Sequence, residues 1–177
     1  MALRDAWGDK GGRRFYKELA MTDDTPAPRR PVSSADVPWK DWEHGDRYGG
    51  RTKDTGDAAG GVRIGVHIEE LPPGMKSCPS HYHHLEEEHL YVLDGEATLL
   101  LGEERIPLKP GDHACFPAGQ QVGHCLINEG DAVFRFLMIG ERNPNDVVVY
   151  PDSGKVLVCA IDKLFELKAE KDYWEGE

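Results

Sequence analysis

No stretch of this sequence approaches the roughly 20 consecutive apolar residues that a membrane-spanning helix requires. The opening residues, MALRDAWGDKGGRRFYKELAM, contain no apolar core of a secretory signal. No basic stripe is present either. The chain carries 21 Lys and Arg against 32 Asp and Glu, a formal net charge of −11. Such a surface repels phosphate backbones and anionic lipid, so nucleic acid and membrane are not expected partners. Cysteine is sparse and never arranged as C-x-x-C. Cys78, Cys115, Cys125 and Cys159 are too far apart to suggest a zinc knuckle. Three of them, Cys115, Cys125 and Cys159, lie in apolar runs. They are expected to be buried free thiols in a reducing, cytoplasmic setting. Paired amphipathic helices are missing from residues 1–61, which removes a helix-turn-helix from consideration.

What the chain does have is 39% hydrophobic and 30% charged residues over 177 positions, enough for one folded domain with tails. A barrel of about 100 residues buries its own core without disulfides. Residues 1–61 read as an N-terminal extension and arm, partly irregular. Met21 is a plausible alternative start. Pro26, Pro28, Pro31 and Pro38 punctuate the arm with Gly, Asp and Thr, which excludes helix interiors and central strands there. Val37, Trp39 and Trp42 form an apolar patch within it, expected to dock on the folded domain or on a partner subunit.

From residue 62 the texture changes. Strand-like runs cover 62–71, 88–94, 96–101, 104–108, 113–116, 122–127, 132–140 and 156–161. They are rich in Val, Ile, Leu, Phe and Tyr, several alternate with period two, and Gly, Pro, Asp or Asn bounds each. Many short strands with regular turns indicate an all-β sandwich or barrel. The barrel core is assigned to 62–142 and a C-terminal turn, closing strand and tail to 143–177. Residues 162–170 read either as a short helix or as another extended edge segment, with Tyr173 and Trp174 as apolar anchors beyond.

Histidine is where the chemistry concentrates. His81 and His83 are two apart, so on a strand they share a face, about 6.6 Å apart along the chain. Two imidazoles so placed can tilt onto one ion. Glu88 opens the next strand in phase with Leu90 and Val92, which should face inward. His124 shares a face with Leu126 on a later strand. His84 and His89 have the opposite parity, so they are expected to face solvent or to support the ligands from behind. His113 and His44 read as ordinary surface residues, and His67 as a hydrogen-bonded strand residue.

These residues fall into two spaced motifs. The first runs Gly74, His81-Tyr82-His83, Glu88, Gly95, and the second Gly111, Pro117-Ala118-Gly119, His124, Asn128. Together they resemble the paired motifs of the cupin superfamily, with a slightly longer first gap and a longer gap before His124. The resemblance implies a double-stranded β-helix, a cupin or jelly-roll barrel. It also implies one divalent metal ion held by His81, His83, Glu88 and His124. Within the run Glu86-Glu87-Glu88, the six-residue spacing to Gly95 and the parity select Glu88. Imidazole and carboxylate suit Fe, Mn, Zn, Ni or Cu, so the donor set does not choose the metal.

A wider likeness runs from about Trp39 to the end. It is to a group of bacterial cupins with a Trp-containing arm and an R-x-P-x-D-V…Y-P-D-S-G-K element. Here that element is Arg142-Asn143-Pro144-Asn145-Asp146-Val147 followed by Tyr150 to Lys155. Its second half reads as a turn that returns the last strand to the sheet.

The resemblance implies a small-molecule metalloenzyme of dioxygenase, isomerase or lyase type. If catalysis needs a proton carrier, the candidates are Glu88, His67 and Tyr150, in that order. A non-catalytic ligand-binding or sensing cupin is the first alternative, and a sugar-phosphate isomerase the second. The latter would need Lys76, Arg105, Arg135 or Arg142 at the barrel mouth. A homodimer is expected, because barrels of this type leave a sheet edge that the arm could cover.

Overall fold

The computed structural model describes residues 30–177; readings that fall on residues 1–29 lie outside them. The first strands are β1 (Lys40–His44) and β2 (Tyr48–Asp54), followed by a single helical turn, α1 (Thr55–Ala58). The barrel strands are β3 (Ile64–Leu71), β4 (Tyr82–His83), β5 (Glu88–Asp94), β6 (Ala97–Leu101), β7 (Glu104–Leu108), β8 (His113–Phe116), β9 (His124–Ile127) and β10 (Phe134–Glu141). Three short strands close the chain: β11 (Val147–Tyr150), β12 (Lys155–Val158) and β13 (Lys163–Glu166).

All strand pairs are antiparallel. The largest sheet has the order β1-β2-β3-β10-β5-β8, and smaller sheets run β13-β12-β11-β4 and β7-β6-β9. Isolated bridges join His81 to His124 and Lys76 to Ile127, so the smaller sheets meet across the barrel. The core fills the space between them with Leu71, Leu90, Val92, Leu99, Phe116, Leu126, Phe134 and Phe136. Period-two alternation accounts for this. Leu90 and Val92 on β5 are buried while Tyr91 and Leu93 between them are exposed. Each fully buried side chain of this size contributes roughly 1.5–3 kcal/mol.

Two motif residues serve the fold directly. Gly95 adopts φ 75°, and a Cβ there would lie 2.5 Å from the Val133 carbonyl oxygen, so no side chain fits. Asn128 is fully buried. Its amide donates to the carbonyls of Leu71 and Ala132, each at 2.8 Å, and its oxygen accepts the Gly130 N–H at 3.0 Å. One side chain thus ties the end of β3 to the loop before β10.

The structure adds strands that the sequence pattern left unresolved. Residues 40–54 of the arm form a hairpin that extends the large sheet through β2 on β3. Trp39 packs under Arg51 and Lys53, with the cations 4.6 and 4.9 Å from its ring. Val37 is buried, and Trp42 lies against Gly50. The apolar patch therefore docks on its own chain. Residues 163–166 are a strand on β12 rather than a helix. Tyr173 and Trp174 do not anchor the tail: both are exposed and meet each other edge to face. Cys115 is exposed, against the expectation that it is buried, because its side chain points outward from β8.

Candidate metal centre

Three strand segments bring the motif residues together at one end of the barrel. The His81–His124 bridge sets β4 beside β9. Glu88 begins β5 opposite Phe116 on one side and Gly140 on the other. Gly140 has a local reason: a Cβ there would meet the Glu88 carboxyl at 3.3 Å.

The Nε2 atoms of His81, His83 and His124 all face Oε2 of Glu88, at 3.8, 3.3 and 3.2 Å. His81, Glu88 and His124 offer ligand atoms that lie within 4.8 Å of one another. His83 Nε2 is buried and, although 3.3 Å from Glu88 Oε2, makes no aligned hydrogen bond. A buried polar atom in that condition is rare unless something else is meant to meet it. His83 lies outside that group of three, beside Glu86 and Asp146, and reaches it through Glu88; three imidazoles and one carboxylate are donor types that suit a borderline divalent metal ion.

The rings are held from behind. His81 Nδ1 lies 3.0 Å from the Pro79 carbonyl, to which it donates. His83 Nδ1 lies 2.6 Å from Oδ2 of Asp146, whose other oxygen accepts the Leu85 N–H at 2.8 Å. Asp146 is fully buried. A carboxylate on the far nitrogen fixes the tautomer that presents Nε2 inward. The His124 ring stacks on Phe116 at 3.8 Å with a 5° tilt.

Electrostatics follow the same geometry. Burial and the neighbouring His124 hold His81 down to about 4, which keeps it neutral. Burial also opposes charge on His83, but the hydrogen bond to Asp146 and the Glu88 carboxylate beside the ring outweigh it and raise it to about 10. Burial works against the Glu88 carboxylate too, yet His124 and His83 hold it well below the usual range. The pocket thus favours a carboxylate with positive charge beside it.

The other glutamates of the run separate cleanly. Glu86 turns to His83 Nδ1 at 3.6 Å and accepts the Asn143 N–H. Glu87 points outward to His89. His67 lies on β3 with Nδ1 2.9 Å from Asp54, which also pairs with Lys40. Tyr150 is buried with its ring 5.9 Å from that of His81, and burial raises its hydroxyl far above the ordinary value. Pro151, next to it, would be 2.9 Å from any Cβ on Gly123, so the Y-P-D-S-G-K turn packs against the residue preceding His124. Lys155 lies over the Tyr150 ring at 5.8 Å.

Sequence reasoning missed two site residues. Asp146 was visible only as part of a motif, with no signal that it backs His83. Glu69 lies on β3 in phase with Leu71 and His67. Its side chain makes no hydrogen bond or ion pair among the described residues. Burial raises its carboxyl to about 7, with His67 lowering it and Glu88 raising it. A strand carboxylate in phase with a core leucine is the signal that was there to be read.

A strand barrel with a three-His, one-Glu cluster at its mouth defines a class, and the comparisons agree with it. The cupin domain model matches residues 67–140. A structure from Acidithiobacillus ferrooxidans, provisionally assigned as a sugar phosphate isomerase, is 31% identical. It covers 80% of this chain and 92% of its own, with a TM-score of 0.73. A sugar phosphate isomerase of the cupin superfamily from Silicibacter pomeroyi is 26% identical over 81% of this chain and 97% of its own, with a TM-score of 0.70. A predicted oxalate decarboxylase from Thermotoga maritima shares the fold at 22% identity, over 63% of this chain and 98% of its own, with a TM-score of 0.55. No curated protein matches the sequence. The chain belongs to the cupin superfamily. No helix among the described residues is long and apolar enough to cross a membrane.

Proposed function

We propose that this protein is a metal-dependent cupin enzyme of isomerase type, acting on a small hydroxy-carbonyl metabolite. The metal would be held by His81, His83, Glu88 and His124. The observation that carries this reading is the convergence of three imidazole Nε2 atoms on one carboxylate oxygen, with His83 Nε2 lacking a bonded partner. A divalent ion held there would polarise a substrate carbonyl or hydroxyl.

The remaining work falls to the chain's own groups. Isomerisation removes a proton from the hydroxyl-bearing carbon beside a carbonyl and returns it to the carbonyl carbon, while the hydroxyl proton passes to the carbonyl oxygen, with no net oxidation. The base must lie inside the barrel, outside the metal's ligand set, and titrate near neutrality. Glu69 meets these conditions better than Glu88, which the histidines occupy, or Tyr150, whose hydroxyl burial keeps protonated. His67, on the same face of β3 and oriented by Asp54, would hold or relay the proton.

Two similar structures that carry the description sugar phosphate isomerase support that substrate class as the first to test. Arg105 and Arg135 are engaged by Glu129 and Glu70. Arg142 stands beside His67 over Gly65, paired with Asp57 at 2.5 Å. It is the cation best placed to meet a substrate anion. Four unpaired cysteines support a reducing compartment such as the cytoplasm.

The test is metal analysis of anaerobically purified protein, with His81→Ala as control, followed by turnover of sugar phosphates and related hydroxy-carbonyl compounds in D2O. We expect stoichiometric divalent metal at the interior site, and H81A should lose that one equivalent. We also expect turnover abolished by chelation, with solvent deuterium in the product. Turnover that survives chelation would overturn the metal assignment. Oxygen consumption without deuterium uptake would replace isomerisation with oxygen chemistry.

A further inference from the structure

The outer face of β5 and β8 carries a second cluster of donor atoms. Leu90 and Val92 turn inward, so Glu87, His89 and Tyr91 turn outward. The antiparallel register sets His89 opposite Cys115 and Tyr91 opposite His113. Four heteroatom side chains from two strands therefore share one solvent-facing patch. The sheet separates them from the interior histidines.

The distances are short. His89 Nε2 lies 2.9 Å from Glu87 Oε1 and 3.9 Å from Cys115 Sγ. The ligand atoms of Glu87, His89 and Cys115 lie within 4.8 Å of one another. On its other side, His89 Nδ1 is 3.1 Å from His113 Nε2, and the two rings are parallel within 6° at 5.2 Å. Tetrahedral zinc with donors at about 2.0–2.3 Å holds them roughly 3.3–3.8 Å apart. The separations of 2.9 and 3.9 Å bracket that spacing.

We propose that Glu87, His89 and Cys115 form a second, external site for a thiophilic divalent cation of the zinc type, with His113 positioning His89. Carboxylate, imidazole and thiolate together are a borderline-soft donor set, unlike the all-nitrogen-and-oxygen interior cluster. His113 acts through the tautomer. When His89 Nδ1 donates to His113, the lone pair on Nε2 faces Glu87 and Cys115, which is the arrangement a cation needs. The same contacts can be bridged by protons alone, with His113 donating to His89 and His89 to Glu87. Cys115 contributes only a weak 3.9 Å sulfur contact to that arrangement, so it is the residue that separates the two. The fourth coordination position lies toward solvent, open to water or to a donor from another molecule. This inference is independent of the isomerase reading.

Cobalt(II) titration of the intact chain tests it, because a thiolate ligand announces itself by near-ultraviolet charge-transfer absorption. The unmutated protein and H81A should both develop that absorption. Cys115→Ser should lose it while keeping the interior equivalent, and Glu87→Gln should weaken the cobalt affinity of the absorbing site at least several-fold. H81A should lose the interior equivalent of cobalt. If H81A and the unmutated protein bind equally, the interior assignment fails and the external one stands. No thiolate absorption in the unmutated protein, or absorption that persists in C115S, overturns the external site. Persistence would assign the thiolate to Cys78, whose sulfur lies 3.7 Å from His81 Nδ1. Cys115 is exposed, so Ser is expected to leave the fold intact, and circular dichroism verifies it.

Discussion

Asp146 illustrates how a residue outside the proposed donor set can control the site. It is buried, and both its oxygens are engaged, one by His83 and one by the Leu85 backbone. Asp146→Ala should lower affinity for the interior metal by about 10–100-fold, since ring orientation and tautomer of His83 are then released. Asp146→Asn should recover part of the orientation but less of the affinity. Competition with a chromophoric chelator measures both. Glu69 makes a prediction about pH. Its folded-state carboxyl titrates near 7, above the ordinary value. The stability tied to it is therefore fully present below the ordinary carboxyl range and is lost as pH rises through about 7. Glu69→Gln cannot lose that stability. In metal-free protein it should gain on the unmutated chain, by on the order of 1–3 kcal/mol, between about pH 5 and pH 8. Urea midpoints at the two pH values decide it, and a parallel pH response would place the carboxyl in water.

At the scale of elements, the two motifs do structural as well as chemical work. Gly95 turns the chain from β5 to β6 in a conformation L side chains avoid, with the Val133 carbonyl pressed against it. Gly95→Ala should destabilise the fold by more than about 2 kcal/mol and leave any surviving folded protein with its metal site intact. Asn128→Ala removes three hydrogen bonds from a buried position and leaves two carbonyls and one N–H unsatisfied. A loss of about 2–4 kcal/mol is expected by denaturant unfolding. Neither residue touches the ligand cluster, so their motif positions reflect the closure of the barrel. The hairpin β1–β2 shows the limit of pattern reading. Tyr48–Asp54 is Gly-, Arg- and Lys-containing and only weakly alternating, and it becomes a strand because β3 offers it an edge.

For the molecule as a whole, the arm completes its own sheet. The homodimer expected from the sequence is therefore proposed to persist when residues 1–45 are deleted, while thermal stability falls with the loss of β1 and of the Trp39 contacts. Sedimentation velocity together with a melting curve separates the two effects. A variant that becomes monomeric at unchanged stability would show the arm working between chains instead. The docking contacts that argue against this are all intramolecular: Trp39 with Arg51 and Lys53, and Trp42 with Gly50.

The sequence by itself determined most of the strand runs from 62 to 140 and, through two spaced motifs that resemble those of cupins, the barrel and the expectation that His81, His83, Glu88 and His124 meet. It could do so because period two and motif spacing are local properties that survive without coordinates. Only the tertiary structure decided which residues support that group. Asp146 meets His83 across 63 positions of chain, and β3 delivers Glu69 and His67 to the same interior. It also decided that the neighbours rejected as ligands, Glu87 and His89, meet Cys115 on the outside of the sheet. Such contacts come from cross-strand register, and register is set by how the whole barrel closes rather than by any one segment.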